Sequence, residues 1–189
     1  GKRKDGTTFP VDLAVSEVYL DNRRIFTGII RDITLRKLAE EEIRMFSRAV
    51  EQSPVAVIIT DPQEDIAYVN PRFTQITGYT SQEIIGQNPR ILKSGETQTE
   101  AYKQLWAAIT SGNEWKGEFH NKKKNGELYW VYASISPVIC KNGKLTHFIA
   151  IEEDITERKQ MMEELKYREE QFLLLLNSTA EAIYGIDTQ

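Results

Sequence analysis

The chain has 189 residues, a formal net charge of −4 and a single cysteine, Cys140. The acidic balance argues against a nucleic-acid-binding protein, one cysteine excludes an internal disulfide, and no apolar run approaches the roughly 20 residues of a transmembrane helix. We expect a reducing, cytoplasmic location, whereas membrane anchoring of a longer parent protein stays open.

Taken in chain order, the elements predict an α+β domain. Two strands at 7–20 and 24–33 form a first hairpin that runs into a charged helix. Strands at 55–61 and 66–69 then precede a helix that Asn70-Pro71 should begin, with Asn as cap and Pro at the first helical position. The later elements are a helix at 98–110, strands at 114–122, 127–139 and 144–154, and a second charged helix from 156. This order predicts a five-stranded antiparallel sheet with helices on one face.

The sequence also repeats itself at a long period. The segment from Lys4-Asp5-Gly6 to Asp32-Ile33-Thr34 recurs about 120 residues later, from Lys124-Asn125-Gly126 to Asp154-Ile155-Thr156. A period of this length indicates whole domains in tandem. We therefore expect a piece of a longer protein. Its parts would be the C-terminal hairpin of an upstream domain (1–34), a linker helix (35–52), a complete domain (53–156), a second linker helix (157–176) and the start of a downstream domain (177–189).

The junctions between sheet and helix share one pattern in both copies. Thr34 and Thr156 are candidate helix N-caps. Asp154 and Arg158 place opposite charges four residues apart, as do the corresponding residues of the first copy, Asp32 and Arg36. We expect movement of the last strand to be passed to the helix at this junction.

The second linker helix carries a loose heptad formed by Ile155, Met162, Leu165 and Phe172. This spacing predicts a homodimer through the linker helices, supported by the apolar outer face of the last strands. A helix packed on its own domain fits the same pattern, so both alternatives stay open.

Several motifs of the complete domain occur together, in this order, in one family. They are Asn70-Pro71-Arg72-Phe73, Thr77-Gly78-Tyr79, Gly86 and Asp154-Ile155-Thr156. With these motifs, residues 47–156 resemble a PAS domain, residues 1–33 resemble its last two strands, and residues 172–189 its beginning. The resemblance implies a PAS fold and a place in the sensory part of a bacterial sensor, such as a histidine kinase or a cyclic-di-GMP enzyme.

The resemblance extends to PAS domains that bind flavin. Residues 86–92 resemble the light-oxygen-voltage flavin motif, but Pro89 stands where that subfamily keeps its photoreactive cysteine, so no cysteinyl adduct is expected. The stretch from Gln104 to Val131 is similar to the FAD-binding PAS domains of the nitrogen-fixation regulator NifL and the aerotaxis receptor Aer. This similarity implies that Trp106 and Asn121 contact the isoalloxazine ring. A glutamate of NifL is replaced by Pro89, so a proton relay through it is not carried over.

The strand pattern supports Asn121 independently. With a period of two, Asn121 shares the apolar face of its strand with Trp115 and Phe119. A buried amide without partners costs about 1–3 kcal/mol, and the pyrimidine edge of a flavin can both donate to it and accept from it. Neighbouring backbone groups are the alternative partners, and Trp106 could equally be a core residue.

Three further residues are candidates for the cofactor site. Asn88 and Arg90 resemble positions that contact the ribityl and phosphate groups, although Arg90 could equally be a solvent-exposed loop residue. Glu152 matches the glutamine that faces flavin N5 in light-oxygen-voltage domains, and burial would raise its pKa and make it a proton-linked partner; the alternative is a surface carboxylate. Haem is disfavoured because neither histidine lies in the helical stretch 61–119, and no metal-site spacing is present.

We therefore predict a signal-transduction module that binds FAD and senses redox state or oxygen. The alternative is a ligand-free PAS module for dimerisation and signal relay. No nucleophile–base pair, glycine-rich phosphate loop or phospho-acceptor motif is present, so we expect no enzymatic activity from this part of the protein. The expected partners are a flavin, a second copy of the chain and a downstream output domain.

Overall fold

The structure is a computed structural model that describes residues 1–21 and 23–186. It divides into two units, residues 1–51 and the residues from Gln52 onwards. Within the described residues, no helix combines the length and the apolar composition that crossing a bilayer requires.

The first unit is a hairpin followed by a helix. Strands β1 (Val11–Leu20) and β2 (Arg23–Asp32) pair antiparallel along their whole length, and α1 (Thr34–Glu51) follows directly. The predicted hairpin is confirmed, while Asn22 of its turn lies outside the described residues. Apolar side chains of the hairpin are exposed, with Leu13 at 58% and its cross-strand partner Ile30 at 70%. A two-stranded hairpin has no second layer against which to bury such residues.

The second unit is the predicted α+β domain. Its elements, in order, are β3 (Ala56–Thr60), β4 (Ile66–Val69), α2 (Pro71–Thr77), α3 (Ser81–Ile84), a 3₁₀ turn (Pro89–Leu92), α4 (Thr99–Thr110), β5 (Trp115–Lys122), β6 (Leu128–Ile139), β7 (Leu145–Asp154) and α5 (Thr156–Ile186). The five strands form one antiparallel sheet in the order β4-β3-β7-β6-β5. The expected fold class is confirmed.

The core lies between the sheet and the short helices. Alternate residues of β5, β6 and β7 point to this side, as the period of two requires, and Val131 and Ala133 of β6 are almost completely buried. Phe73 of α2 and Ile84 of α3 are fully buried against them. The strand next to the sheet's centre, β3, is buried along nearly its whole length, which is typical of a strand covered on both sides.

The junction between sheet and helix differs in detail from the prediction. Asp154 Oδ1 accepts a hydrogen bond from Thr156 N at 2.9 Å, and Asp32 binds Thr34 N at the same distance. Among the described contacts neither aspartate pairs with the arginine four residues later; Arg36 pairs with Glu40 instead. A short carboxylate reaches the backbone N–H two residues on more easily than a side chain one turn away. The two threonines are therefore the first helical residues, with the aspartates in the capping role.

The second linker helix is longer than predicted, and its seam is different. Helix α5 continues to Ile186, through most of the segment assigned to the start of a downstream domain, and its apolar run 172–176 contains no Gly or Pro that would end the helix. The assignment of 177–189 to a downstream domain stays a prediction, and residues 187–189 lie outside the described residues. Ile155, at 1% exposure, belongs to the domain core rather than to the heptad, whereas Met162 and Leu165 are exposed.

One buried amide side chain, that of Asn70, connects α2 to the sheet. Asn70, with no exposed surface, caps α2 by accepting from Phe73 N at 3.1 Å, as predicted. The same Oδ1 accepts from Val57 N at 2.9 Å, and Nδ2 donates to Val55 O at 3.0 Å. One side chain thus satisfies backbone groups of both β3 and α2.

We expect Asn70→Ala to lower the free energy of unfolding by about 2–4 kcal/mol, because it removes a cap and leaves buried backbone groups unpaired. Asn142→Ala is the matched control, since Asn142 is exposed and accepts only from Lys144 N; its effect should stay near 1 kcal/mol or below. Urea denaturation measures both, and equal effects of the two variants would contradict the anchoring role of Asn70.

Candidate functional site

A cavity of about 140 Å³ lies between α4 and the inner face of the sheet. One water takes roughly 10–15 Å³ of such space, so the cavity has room for about ten waters, or roughly 300 Å³ of liquid. This size is at the lower end for ligand pockets. The cavity volume is comparable to that of a planar ring system. The rest of a dinucleotide such as FAD would have to lie outside the cavity. All five residues predicted for the cofactor site line it: Asn88, Arg90, Trp106, Asn121 and Glu152.

The floor of the cavity is set by the register of the sheet. Glu152 stands between Ala56 of β3 and Ala133 of β6 on the neighbouring strands. Both alanines are buried and too short to fill the space above the sheet. A carboxyl group in the middle of the sheet therefore has open volume in front of it instead of a packed neighbour.

Glu152 is the acidic group of the site. It is 7% exposed, and no hydrogen bond among the described residues reaches its carboxyl group. Burial without a compensating charge disfavours the ionised form and raises the pKa of Glu152 to about 7. The carboxyl can thus exist with or without its proton near neutral pH, and the alternative of a surface carboxylate is wrong.

Asn121 is the amide of the site, placed as the strand alternation predicts. It is 6% exposed and follows Phe119 on the inner face of β5. Its cross-strand partner is Tyr129, whose hydroxyl is buried and completes no hydrogen bond within the described residues. Burial is the main cause of the raised pKa of the Tyr129 hydroxyl, and the charge of Glu152 raises it further. The Asn121 amide lowers this pKa. Asn121 of the cavity lining is therefore paired across the strands with a buried hydroxyl that has unused hydrogen-bonding capacity.

Helix α4 supplies the aromatic wall. Trp106 is half-buried and meets the ring of Phe148 edge-on, with centroids 6.4 Å apart. Tyr102 stacks on Phe119 of the floor at 5.4 Å, and Lys93 Nζ lies 3.7 Å from the centroid of the Tyr102 ring. Tyr102 was not among the residues that the sequence predicted for this site.

The mouth of the cavity is held by an ion pair that the sequence did not indicate. Arg90 Nη2 lies 3.2 Å from Glu64 Oε2, and Asn88 Nδ2 donates to the same carboxylate at 3.4 Å. Asn88 also caps the 3₁₀ turn by accepting from Arg90 N. Glu64 lies 26 residues before Arg90 in the chain, so no local pattern could pair them. Two of the five predicted residues are thus at the rim and three are inside.

The cysteine of the chain is remote from this site. Cys140 is exposed at the turn after β6 and does not line the cavity. Pro89 begins the 3₁₀ turn at the cavity wall. Nothing in the described lining can therefore form a thiol adduct with a ligand.

The chain is similar to known proteins over most of its length. The sequence profile of the PAS domain family matches residues 1–35 and 54–157. The nitrogen fixation regulatory protein of Klebsiella oxytoca is 32% identical over 152 residues, which cover 80% of this chain and 31% of that protein. A blue-light-activated histidine kinase of Brucella anthropi is 35% identical over 133 residues, 68% of this chain and 27% of that protein. The chain thus spans less than a third of the length of these curated relatives.

Solved structures share the same fold. An RNA-binding light-oxygen-voltage receptor matches with a TM-score of 0.61 and 25% identity, over 88% of this chain and 46% of that one. The light-oxygen-voltage domain of a blue-light-activated histidine kinase from Erythrobacter litoralis matches with a TM-score of 0.52 and 29% identity, over 56% of this chain and 99% of that one. The resemblance predicted from the motifs is confirmed: the chain belongs to the PAS domain family and contains a PAS sensory domain.

Proposed function

We propose that the cavity binds the isoalloxazine ring of a flavin, FAD in the first instance, and that the domain senses redox state or oxygen. The observation that carries this proposal is the pairing of an aromatic wall with the buried Asn121 amide and the buried Glu152 carboxyl in one cavity. A flat, mostly apolar ring with one polar edge matches such a lining.

The residues divide the work of binding between them. The Asn121 amide can donate to and accept from a ring edge that carries an N–H between carbonyl groups. The indole of Trp106 and the phenol ring of Tyr102 supply aromatic surface, and Arg90 and Lys93 offer positive charge at the mouth for phosphate groups. A flavin whose ring lies in the cavity and whose phosphate groups lie outside would contact both the residues of the interior and the cations at the mouth.

A bound flavin supplies a group whose hydrogen-bonding pattern changes with its redox state. Glu152 is placed to respond, because its pKa of about 7 lets it act as donor or acceptor without a large free-energy difference between the two forms. Two residues after Glu152 the strand ends at Asp154, which binds the first turn of α5. A shift of Glu152 is therefore close to the start of the helix that leads out of the domain.

Redox sensing is favoured over adduct photochemistry for this site. Several relatives are named as blue-light-activated histidine kinases, but the described cavity lining has no cysteine and has Pro89 in the 3₁₀ turn. A covalent thiol adduct needs a sulfur in contact with the ligand. The nitrogen fixation regulatory protein of Klebsiella oxytoca is a relative whose name makes no reference to light.

The surrounding protein is part of the same proposal. We infer that β1 and β2 are the last two strands of another PAS sheet, because their antiparallel register matches that of β6 and β7 in the complete domain. Their apolar side chains are exposed, whereas the inner face of β6 is buried. The proposed output is a histidine kinase or a cyclic-di-GMP enzyme in the same cytoplasmic protein. Names of relatives support the first of these.

A second candidate function is a PAS module for dimerisation and relay. The observation that favours it is the unburied apolar surface of α5, where Met162, Leu165 and Phe172 are 60–68% exposed. A second copy of the helix is the occupant that matches their heptad spacing. This role is compatible with flavin binding and becomes the alternative only if the cavity takes no ligand.

The first prediction from the proposal concerns flavin binding. The purified chain should bind FAD or FMN, seen as flavin absorption bands or quenched flavin fluorescence. Trp106→Ala and Asn121→Ala should each raise the dissociation constant roughly ten-fold, through lost aromatic contact and lost hydrogen bonds. Asn142→Ala in the exposed turn is the control. A colourless protein that cannot be reconstituted with either flavin would exclude the proposal.

The second prediction concerns pH and Glu152. Since its folded-state pKa is raised from 4.5 to about 7, the folded domain binds this proton more tightly than the unfolded chain does. Stability is then highest at low pH and falls as the pH rises through about 4.5 to 7. We expect Glu152→Gln to remove a change on the order of 3 kcal/mol between about pH 5 and about pH 8. Glu153→Gln on the exposed face should keep the wild-type dependence in urea denaturation; identical curves for Glu152→Gln and wild type would contradict the buried carboxyl.

The third prediction concerns association. If α5 pairs two chains, Leu165→Glu should place like charges in the contact and increase the dimer dissociation constant at least ten-fold. Glu164→Lys, one residue away and off the heptad, is the charge-changing control. Light scattering over a concentration series distinguishes monomer from dimer, and a monomeric wild-type chain would remove this candidate.

A further inference from the structure

The segment after the 3₁₀ turn, residues 93–97, is attached to the free edge of β5. Lys93 forms a backbone bridge with Asn121. At the preceding residue, His120 N donates to Thr97 Oγ1 at 3.0 Å, and Ser94 Oγ donates to His120 O. Two hydroxyl groups thus complete the hydrogen bonds of the edge strand at the point where Asn121 enters the cavity.

The side chain of His120 continues the contact on the opposite face of the sheet. Its ring stacks on Trp130 of β6, with centroids 4.3 Å apart and planes 7° from parallel. Lys159 of α5 packs on the indole of Trp130, with Nζ 4.8 Å from the ring centroid. The same ammonium group pairs with Glu118 Oε2 at 2.6 Å. Residues of β5, β6 and α5 are therefore in direct contact outside the core.

Trp130 also holds the first turn of α5 with its backbone. Its N–H donates to Thr156 Oγ1 at 2.9 Å, and its carbonyl accepts from Ile155 N at 2.9 Å. The residue that stacks on His120 is thus the residue to which the beginning of the helix is bound. A displacement of Trp130 therefore acts on the start of α5 in two ways: through the ring that contacts Lys159, and through the backbone groups that bind Thr156 and Ile155.

Asn121 and His120 are consecutive residues of β5, so a displacement of the strand moves one side chain on each face of the sheet. We propose that Ser94, Thr97 and His120 are positioning residues: they hold Asn121 in the cavity wall and connect it, through Trp130, to the start of α5. This inference rests on the proposed ligand cavity. It adds a route along the edge of the sheet that is separate from β7, the strand that carries Glu152.

The contributions within this cluster are unequal. His120 Nδ1 lies 2.7 Å from Glu96 Oε2, but the Glu96 side chain is 55% exposed, and exposed ion pairs stabilise little. The ring stack and the hydroxyl bonds of Ser94 and Thr97 are less accessible to water. They are the contacts that a variant has to remove.

The test starts from the ligand-free full chain and measures amide hydrogen exchange at residues 155–160. His120→Leu, which removes the stack, should raise exchange there several-fold. His120→Phe keeps a ring on Trp130 and should retain most of the protection. His147→Ala, the other histidine, exposed on β7, should leave the amides unchanged. Unchanged exchange in His120→Leu, or an equal rise in His147→Ala, would overturn the proposal.

A riboflavin titration separates this proposal from the proposed function. If wild type binds riboflavin, Thr97→Val should weaken the affinity roughly three- to ten-fold by freeing the edge of β5 at Asn121, with thermal unfolding used to check that the variant folds. Wild-type affinity in folded Thr97→Val would contradict the positioning role. A wild-type chain that binds no flavin refutes the proposed function alone, since the exchange measurement needs no ligand.

Discussion

The antiparallel register of β5, β6 and β7 is the constraint on which the site depends. It places Asn121 and Glu152 on the same face of the sheet, with alanines beside the carboxyl group and with α4 above. A shift by one residue in β5 or β7 would turn its polar side chain to the other face of the sheet and bring the neighbouring residue to the core. The cavity is therefore a property of strand pairing before it is a property of individual side chains.

The two faces of this sheet serve different purposes. The inner face holds the cavity and is closed by aromatic side chains of α4. The outer face, around Trp130, is where α5 begins and where a histidine and a lysine pack on the same indole. Because consecutive strand residues lie on opposite faces, a displacement of β5 moves Asn121 on the cavity side and His120 on the side of α5.

Local sequence patterns predicted most of the fold, whereas Trp106 and Glu152 were assigned to the site from the resemblance to flavin-binding PAS domains. Period-two alternation placed Asn121 on the apolar face of its strand, together with Trp115 and Phe119. The Asn70-Pro71 signal placed the start of α2. These features depend on residues close together in the chain, and the structure agrees with them.

Other parts could not be predicted because they join distant segments. The contact of Arg90 with Glu64 and the bonds of Ser94 and Thr97 to His120 span more than twenty residues. The expected pairs of Asp154 with Arg158 and Asp32 with Arg36 were wrong for a different reason: the helical spacing was right, but a nearer backbone group competed for the carboxylate. The burial of Ile155 likewise follows from its position between β7 and α5, where its N–H donates to the Trp130 carbonyl of β6, and not from the heptad.

The unbroken course of α5 determines how far a small motion can reach. Its 31 residues correspond to a rod about 46 Å long. A tilt of a few degrees at Thr156 would displace the far end by roughly 2–4 Å, a distance comparable to the spacing between packed side chains. The helix thus acts as a lever: rearrangements too small to disturb the packing around Glu152 or Trp130 can still reposition whatever is joined to its other end.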